Sequence, residues 1–351
     1  MAKYKEHYKE ITTRIYRIFY MFFTFKWRGF FKYYDKNSEN IVWLKLYGPM
    51  YFMRVKFIRD AGIILGLINR KQTFKILIGK NIGQYFNKNI FFTLNDSFNT
   101  YGFKNYVHIL QHIIHRLECQ DNIVHPNLEE VKYWENKAFM HERFEELNIK
   151  TPKTILVDDR KNLDKIALKM PYLIKAEHSC SAKGVFKIDN QKELDQLLDE
   201  TDFLKENKTI IVQELLNIKR DLRVIVAGEK ILLHYWRINN DDEWKPTSTS
   251  FGSTVDFVTF PEQWRENIMN TFKKLKIDTG AFDFAWDNDD LDTEPLVLEV
   301  STSYSPNPKV NPDSKMSYGD YKHTIKYDRE YVKIMYKIQD EYVNTCLTHH
   351  N

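Results

Sequence analysis

Apolar residues recur along this chain with two different periods, and the switches between them outline its elements. Val107, Leu110, Ile113, Ile114 and Leu117 fall three or four apart, which predicts a helix with one apolar face over residues 106–117. Upstream, the apolar runs at 73–78 and 90–94 read as short strands, so the early part of the chain predicts a mixed α/β lobe. Beyond Pro126, Asn127 with Glu130 three residues on makes a capping box, which opens a helix carried by the pattern to Leu147 and through Lys137. Strands are predicted at 154–157, 171–175 and 184–188, and Asn190 with Glu193 caps a helix ending near Leu198.

The third region alternates again. Runs rich in Ile, Val and Leu at 209–214, 222–227 and 230–236 predict strands, the last two joined by a tight turn at Gly228 and Glu229. Pro261 stands where the first turn of a helix over 261–275 would be. A strand pair at 281–285 and 295–301 flanks the acidic turn 287–292, and a helix over 326–347 closes the pattern.

The N-terminal stretch departs from this scheme. Residues 15–25 are apolar and aromatic, with Arg14 before them and Lys26, Trp27 and Arg28 after. The run is too short to cross a bilayer and Arg17 interrupts it. No small-residue cleavage site follows, so a leader peptide is not expected. Two readings stay open: a helix packed on the body of the protein, or an interfacial helix over residues 1–30 whose aromatic face rests on a membrane or a lipid-linked substrate.

Composition narrows the class. With 351 residues, the chain exceeds what one small core needs. The expected division is an aromatic and basic segment 1–35, an α/β domain 36–125, a larger domain 126–325 with lobes 126–215 and 216–325, and a C-terminal helix 326–351. Charged residues at 28% and hydrophobic residues at 43% fit a folded soluble protein. A net charge of only +4 argues against a nucleic-acid binder. Cys119, Cys180 and Cys346 form no C-x-x-C spacing, so neither a disulfide framework nor a thiolate zinc site is expected. A reducing cytoplasm fits, at the inner face of the membrane if the N-terminal helix is interfacial.

Chemistry-bearing residues fall at strand ends and in loops. In order they are Lys137; Lys175 at a strand end; the small-residue loop holding Ser179, Ser181 and Gly184; Glu214 and Leu215 at another strand end; Asp221 and Arg223; Arg237; Asp283; and Glu299. Lysines neutralise phosphates as point charges, and a loop of small residues lets backbone N–H groups approach them. Paired carboxylates suit Mg²⁺, and fixed arginines stabilise charge on a transferring phosphoryl.

Taken in this order, residues 127–309 resemble the ATP-grasp domains of ribosomal-protein glutamate ligases, D-alanine ligases and glutathione synthetases. The resemblance implies an α/β (α+β) ATP-grasp fold in which two α+β lobes sandwich ATP, preceded by an N-terminal α/β domain. It implies ATP contacts at Lys137, Lys175, Glu214 and Leu215, Asp221 near the ribose, and Ser179, Ser181 and Gly184 in the phosphate loop. It implies Mg²⁺ on Asp283 and Glu299, with Arg223 and Arg237 facing the phosphates and acyl group as catalytic residues. Relatives read Glu-x-Asn at the second metal strand; here Ser301 stands in place of the Asn, and Asn307 is an alternative oxygen donor. Cys180 reads as a small filler.

The polar residues Thr247, Ser248, Thr249 and Ser250, with Tyr304 and Lys309, are candidate substrate contacts. The resemblance implies an ADP-forming carboxylate–amine ligase, its partners an acid and an amine. The finer reading is either an amino acid joined to a hexuronic acid of a surface polysaccharide or lipid-linked glycan, or, equally, a peptide or small-metabolite ligation. An ATP-grasp kinase and a nucleotide-binding adaptor with a weakened metal site are the alternatives.

Overall fold

The computed structural model describes residues 2–45, 51–79, 81–94, 103–134, 136–165, 167–179, 184–241, 243–309 and 318–349. Ser181, Cys180 and the rest of 180–183 lie outside the described residues. The chain forms two compact units, one of Met1–Val131, Val226–Leu233 and Ser303–Asn351, the other of Lys132–Ile225 and His234–Thr302.

The first unit is built on a parallel sheet of four strands in the order β2-β1-β3-β4, with β1 Asn40–Leu44, β2 Lys75–Ile78, β3 Asn89–Phe91 and β4 Ile123–His125. Parallel strands need crossover segments, and helix α3 (Val55–Asn69) lies between β1 and β2 in the chain, the helix Phe103–Glu118 between β3 and β4. The strands expected at 73–78 and 90–94 are β2 and β3, shortened at one end or shifted by a residue. β1 and β4 were not expected: Ile41, Val42 and Trp43 are fully buried, so both faces are apolar and no alternation marks the strand.

The N- and C-terminal helices, expected as separate segments, share one core. Helix α1 (Ala2–Thr24) turns Thr13, Arg17 and Met21 inward, and Arg17 pairs with Asp328 of the C-terminal helix Ile325–His349 at 3.3 Å. Met21 packs with Ile58, Ala61, Val332 and Met335. This face of α1 is therefore packed on the first unit. Among the described residues no helix is long and apolar enough to cross a membrane.

Close approach of α3 and the C-terminal helix depends on two glycines. A Cβ on Gly62 would meet the Gln339 Cβ at 2.8 Å, and one on Gly66 the Val343 Cβ at 2.9 Å. Helix backbones this close leave no room for a methyl group.

The second unit carries two sheets. One has the order β5-β8-β6-β7, from β5 Thr154–Val157, β6 Tyr172–Lys175, β7 Val185–Ile188 and β8 Ile210–Glu214, all pairs antiparallel. The helix Gln191–Asp199 packs Leu194, Leu197 and Leu198 against it; Asn190 caps it by accepting the Glu193 N–H, while Glu193 accepts the Asp189 N–H and the Asn190 side-chain amide rather than the Asn190 N–H. The other sheet has the order β11-β10-β9-β12-β13, from β9 Arg220–Ala227, β10 Lys230–Ile238, β11 Thr254–Asp256, β12 Thr279–Ala285 and β13 Leu296–Ser301, the hairpin tip Val226–Leu233 being counted with the first unit. Gly228 turns the β9–β10 hairpin at φ +56°, a left-handed conformation that favours glycine.

The single helix expected from Asn127 to Leu147 is two helices, Leu128–Lys132 and Lys137–Glu146. The Asn127–Glu130 capping box forms at the first, with bonds of 3.0 and 2.9 Å. Asn136 then caps the second by accepting the Phe139 N–H at 3.2 Å. A second good N-cap residue in mid-pattern breaks the helix, and it puts Lys137 in a first turn rather than mid-helix. Pro261 likewise opens a short 3₁₀ turn, Glu262–Trp264, and the helix proper is Arg265–Leu275.

Gly66→Ala should lower the unfolding free energy by about 1–3 kcal/mol through overpacking against Val343. Urea denaturation of the variant against the parent measures this.

Candidate active site

Adjacent strands of the larger sheet hold a lattice of buried charge. Arg223 on β9 grips Asp283 on β12 with two bonds, Nε to Oδ1 at 2.7 Å and an Nη to Oδ2 at 2.8 Å. Arg237 on β10 holds Asp221 in the same bidentate way, at 2.7 and 2.5 Å, and reaches Asp283 Oδ2 at 2.8 Å. The Thr247 hydroxyl donates to Asp221 at 2.6 Å. Alternation along β9 puts Asp221 and Arg223 on one face, which is why the two arginines and two carboxylates mesh.

Burial raises the Asp283 carboxyl, but Arg223 and then Arg237 outweigh it and hold the group well below the ordinary carboxylate range. Asp283 is thus ionised at any working pH. Asp221, expected near a ribose, is 2% exposed with both oxygens bound. In this geometry it orients Arg237.

A β-bulge sets the facing acid. Asp283 pairs with Glu299, yet Phe284 pairs with Val297, so β13 carries one extra residue there. Strict alternation would send Val297 to the same face as Glu299. The extra residue lets Val297 bury while the Glu299 side chain stays one-third exposed opposite Asp283. Ser301, two residues beyond Glu299, is buried at the end of the strand.

The lysines come from the other half of this unit. Lys137 Nζ donates to the Ser179 carbonyl at 2.6 Å and stands 3.7 Å from Glu299 Oε1. Its helix is tied to β13 where the Val300 N–H donates to Met140 Sδ at 3.2 Å, and the segment after the helix where the Val297 N–H donates to the Lys150 carbonyl at 2.9 Å. Lys175 ends β6. Burial lowers its pKa to about 8, with Lys137 adding to the effect and Glu299 and Asp283 opposing it. Gly184 approaches Ser179 closely, since a Cβ there would meet Ser179 Oγ at 2.6 Å.

Glu214 ends β8 with its carboxylate accepting the Lys153 N–H at 2.6 Å, and half-buried Leu215 follows. Asn307, Tyr304 and Lys309 belong to the first compact unit and lie outside its helices and strands. Sequence reasoning missed His141. It lies one turn after Lys137, buried, with neither ring nitrogen hydrogen-bonded. Burial, then Lys175 and Lys137, lower its pKa to about 3, so it stays neutral. Its spacing of four from Lys137 was the available signal.

The second unit therefore gathers Lys137, Lys175, Arg223 and Arg237 with Asp221, Asp283 and Glu299. Four cations against three carboxylates suit a polyanion. Asp283, Glu299 and Ser301 offer oxygen donors only, the set a hard divalent cation such as Mg²⁺ takes. The residues present thus fit a Mg²⁺–nucleotide.

Comparison with known proteins agrees with this geometry. The family described as RimK-like ATP-grasp domain matches residues 135–316, just over half of the chain. The alpha-aminoadipate–LysW ligase LysX of Saccharolobus solfataricus is 30% identical over 173 residues, covering 48% of this chain and 61% of the relative. The coenzyme gamma-F420-2:alpha-L-glutamate ligase of Methanocaldococcus jannaschii is 30% identical over 127 residues, covering 34% and 42% respectively. The chain thus spans about half the length of these curated relatives. Among solved structures, D-alanine–D-alanine ligase from Bacillus anthracis complexed with ATP superposes with a TM-score of 0.52 at 14% identity, covering 87% of this chain and 97% of that one. VanG D-Ala:D-Ser ligase from Enterococcus faecalis gives 0.52 at 15% identity, covering 87% and 100%. At these identities the structures establish the fold.

Asp221→Ala strips Arg237 of its bidentate partner and should cost about 3–5 kcal/mol of stability, as expected for breaking a buried pair. Thr247→Val, which removes one hydroxyl donor, should cost about 1 kcal/mol. Chemical denaturation of both variants gives the comparison, and equal losses would contradict the lattice as described.

Proposed function

Since this chain belongs to the RimK-like ATP-grasp family, we propose that it is an ADP-forming ligase that joins a carboxylate to an amine. The family fold works with ATP and Mg²⁺ as cofactors. The observation that carries the reading is the convergence of Lys137, Lys175, Arg223 and Arg237 on the facing acids Asp283 and Glu299.

When bound, the Mg²⁺–nucleotide supplies the phosphoryl group that turns the carboxylate into an acyl phosphate, ADP departing; the amine nitrogen then displaces inorganic phosphate and releases a proton. The chain's own residues position and neutralise. Lys137 and Lys175 would take the phosphate charge, with Ser179 and Gly184 shaping the loop and Glu214 and Leu215 bordering the base. Asp283, Glu299 and Ser301 would hold the metal. Arg223 and Arg237, fixed beforehand by Asp283 and Asp221, would meet developing charge without reorganising. His141, buried and held neutral by its burial and by Lys175 and Lys137, adds no further positive charge to the four cations. No side chain is required as a nucleophile, because alignment of the acid and amine accounts for much of such a reaction.

The finer reading is that the amine is an amino acid and the acid a hexuronic acid of a polysaccharide or lipid-linked glycan, in the cytoplasm. Two relatives are named for alpha-aminoadipate and alpha-L-glutamate, which supports an amino acid as one partner. The aromatic and basic N-terminal helices support a large or lipid-linked acceptor.

Lys175→Ala and Glu299→Ala should each lower acid- and amine-dependent ADP release by at least about 100-fold while the thermal midpoint changes little. Turnover near the parent's in either variant contradicts that residue's role. ADP release that needs only an alcohol would point to a kinase, and tight nucleotide binding without turnover to an adaptor.

Nucleotide affinity should depend on pH through Lys175. Bound phosphates favour its charged form, so binding takes up a proton once the free lysine begins to lose it. Affinity is then flat below about pH 7 and falls by up to tenfold per unit above about pH 8. Calorimetric titration with a non-hydrolysable ATP analogue across that window measures it, and Lys175→Arg should flatten the profile.

A further inference from the structure

The first compact unit bears an uncovered aromatic surface whose side chains take no part in the ligation chemistry. The face of α1 opposite Thr13, Arg17 and Met21 carries Phe19, Phe22 and Phe23, exposed by 58%, 56% and 78%. Helix α2 (Trp27–Tyr33) continues it with Trp27 and Phe31, exposed by 39% and 74%. These rings are held in place. Phe22 and Trp27 pack at 5.1 Å between centroids, Trp27 Nε1 donates to the Phe22 carbonyl at 2.7 Å, and Phe31 meets Phe30 edge-on at 5.5 Å. A contiguous exposed patch of large apolar rings marks an interaction surface, whereas single exposed rings do not.

Charge selects the partner. From Ile11 to Tyr34 the sequence holds no Asp or Glu but carries Arg14, Arg17, Lys26, Arg28 and Lys32. Arg17 is paired inside with Asp328, while Lys26, Arg28 and Lys32 are exposed beside the rings. A second copy of the chain would bring the same positive charge against this face. An anionic lipid surface complements it, with aromatic rings suited to the headgroup boundary and cations to lipid phosphates.

We propose that the face of α1 and α2 bearing Phe19, Phe22, Phe23, Trp27 and Phe31 docks on an anionic bilayer, with the two helices lying in the headgroup region. Because α1 is fixed to the C-terminal helix by its other face, docking brings the folded protein to the membrane rather than a detached tail. The surface stands independently of the ligase reading.

Flotation of the full chain with vesicles tests it, and the readout needs no turnover. Vesicles of phosphatidylcholine with about 30% phosphatidylglycerol should carry the protein, vesicles of phosphatidylcholine alone should not, and binding should weaken with salt. The double variant Phe22→Ser, Phe23→Ser should bind at least about tenfold more weakly, and Arg28→Glu with Lys32→Glu at least about tenfold more weakly on anionic vesicles only. Because these side chains are exposed, thermal midpoints should stay at the parent's value. Failure to float with anionic vesicles, or unchanged binding by the Phe variant, overturns the proposal. Equal binding to neutral vesicles overturns the role of charge. Self-association in sedimentation that the Phe variant abolishes, without vesicle binding, assigns the face to a second copy instead.

Discussion

A carboxylate buried between two guanidinium groups is the constraint around which the larger sheet is arranged. Asp283 is 5% exposed and accepts from both Arg223 and Arg237. Left alone, a buried carboxylate would protonate or disrupt its surroundings. With two arginines it stays charged, and it fixes their side chains in return. Asp221 and Thr247 complete the arrangement by holding the far side of Arg237. Three neighbouring strands are thereby committed to one register, and the rigid cations that follow from it are the ones a phosphoryl-transfer site needs.

The rest of the site is attached to that frame by backbone rather than by charge. A bulge in β13 turns Glu299 toward Asp283, and bonds from Val297 and Val300 to Lys150 and Met140 bring in the helix carrying Lys137. Position thus comes from main-chain pairing and chemistry from the side chains placed on it. Lys175, buried and with its pKa lowered to about 8, is the adaptable member, since its charge responds to what binds beside it.

Much of this was legible in the sequence because strand ends are local features. The capping box at Asn127–Glu130, the N-cap at Asn190, the turn at Gly228 and the two strands ending in Glu214 and Ser301 all appeared where short-range patterns put them. What escaped notice depended on distant partners. β1 is apolar on both faces and shows no period, and the break before Lys137 hinges on one asparagine cap. The role of Asp221 could not be separated from that of a ribose ligand, because its arginine partner lies 16 residues away on the next strand. His141 offered only its spacing of four from Lys137, and its place in the site shows once both lysines are seen beside it.

A crystal structure of the full chain with Mg²⁺ and a non-hydrolysable ATP analogue tests the account most directly. It should place the phosphates against Lys137 and Lys175 and the metal on Asp283 and Glu299, with Arg223 and Arg237 unmoved. A nucleotide bound elsewhere, with those side chains untouched, would contradict it.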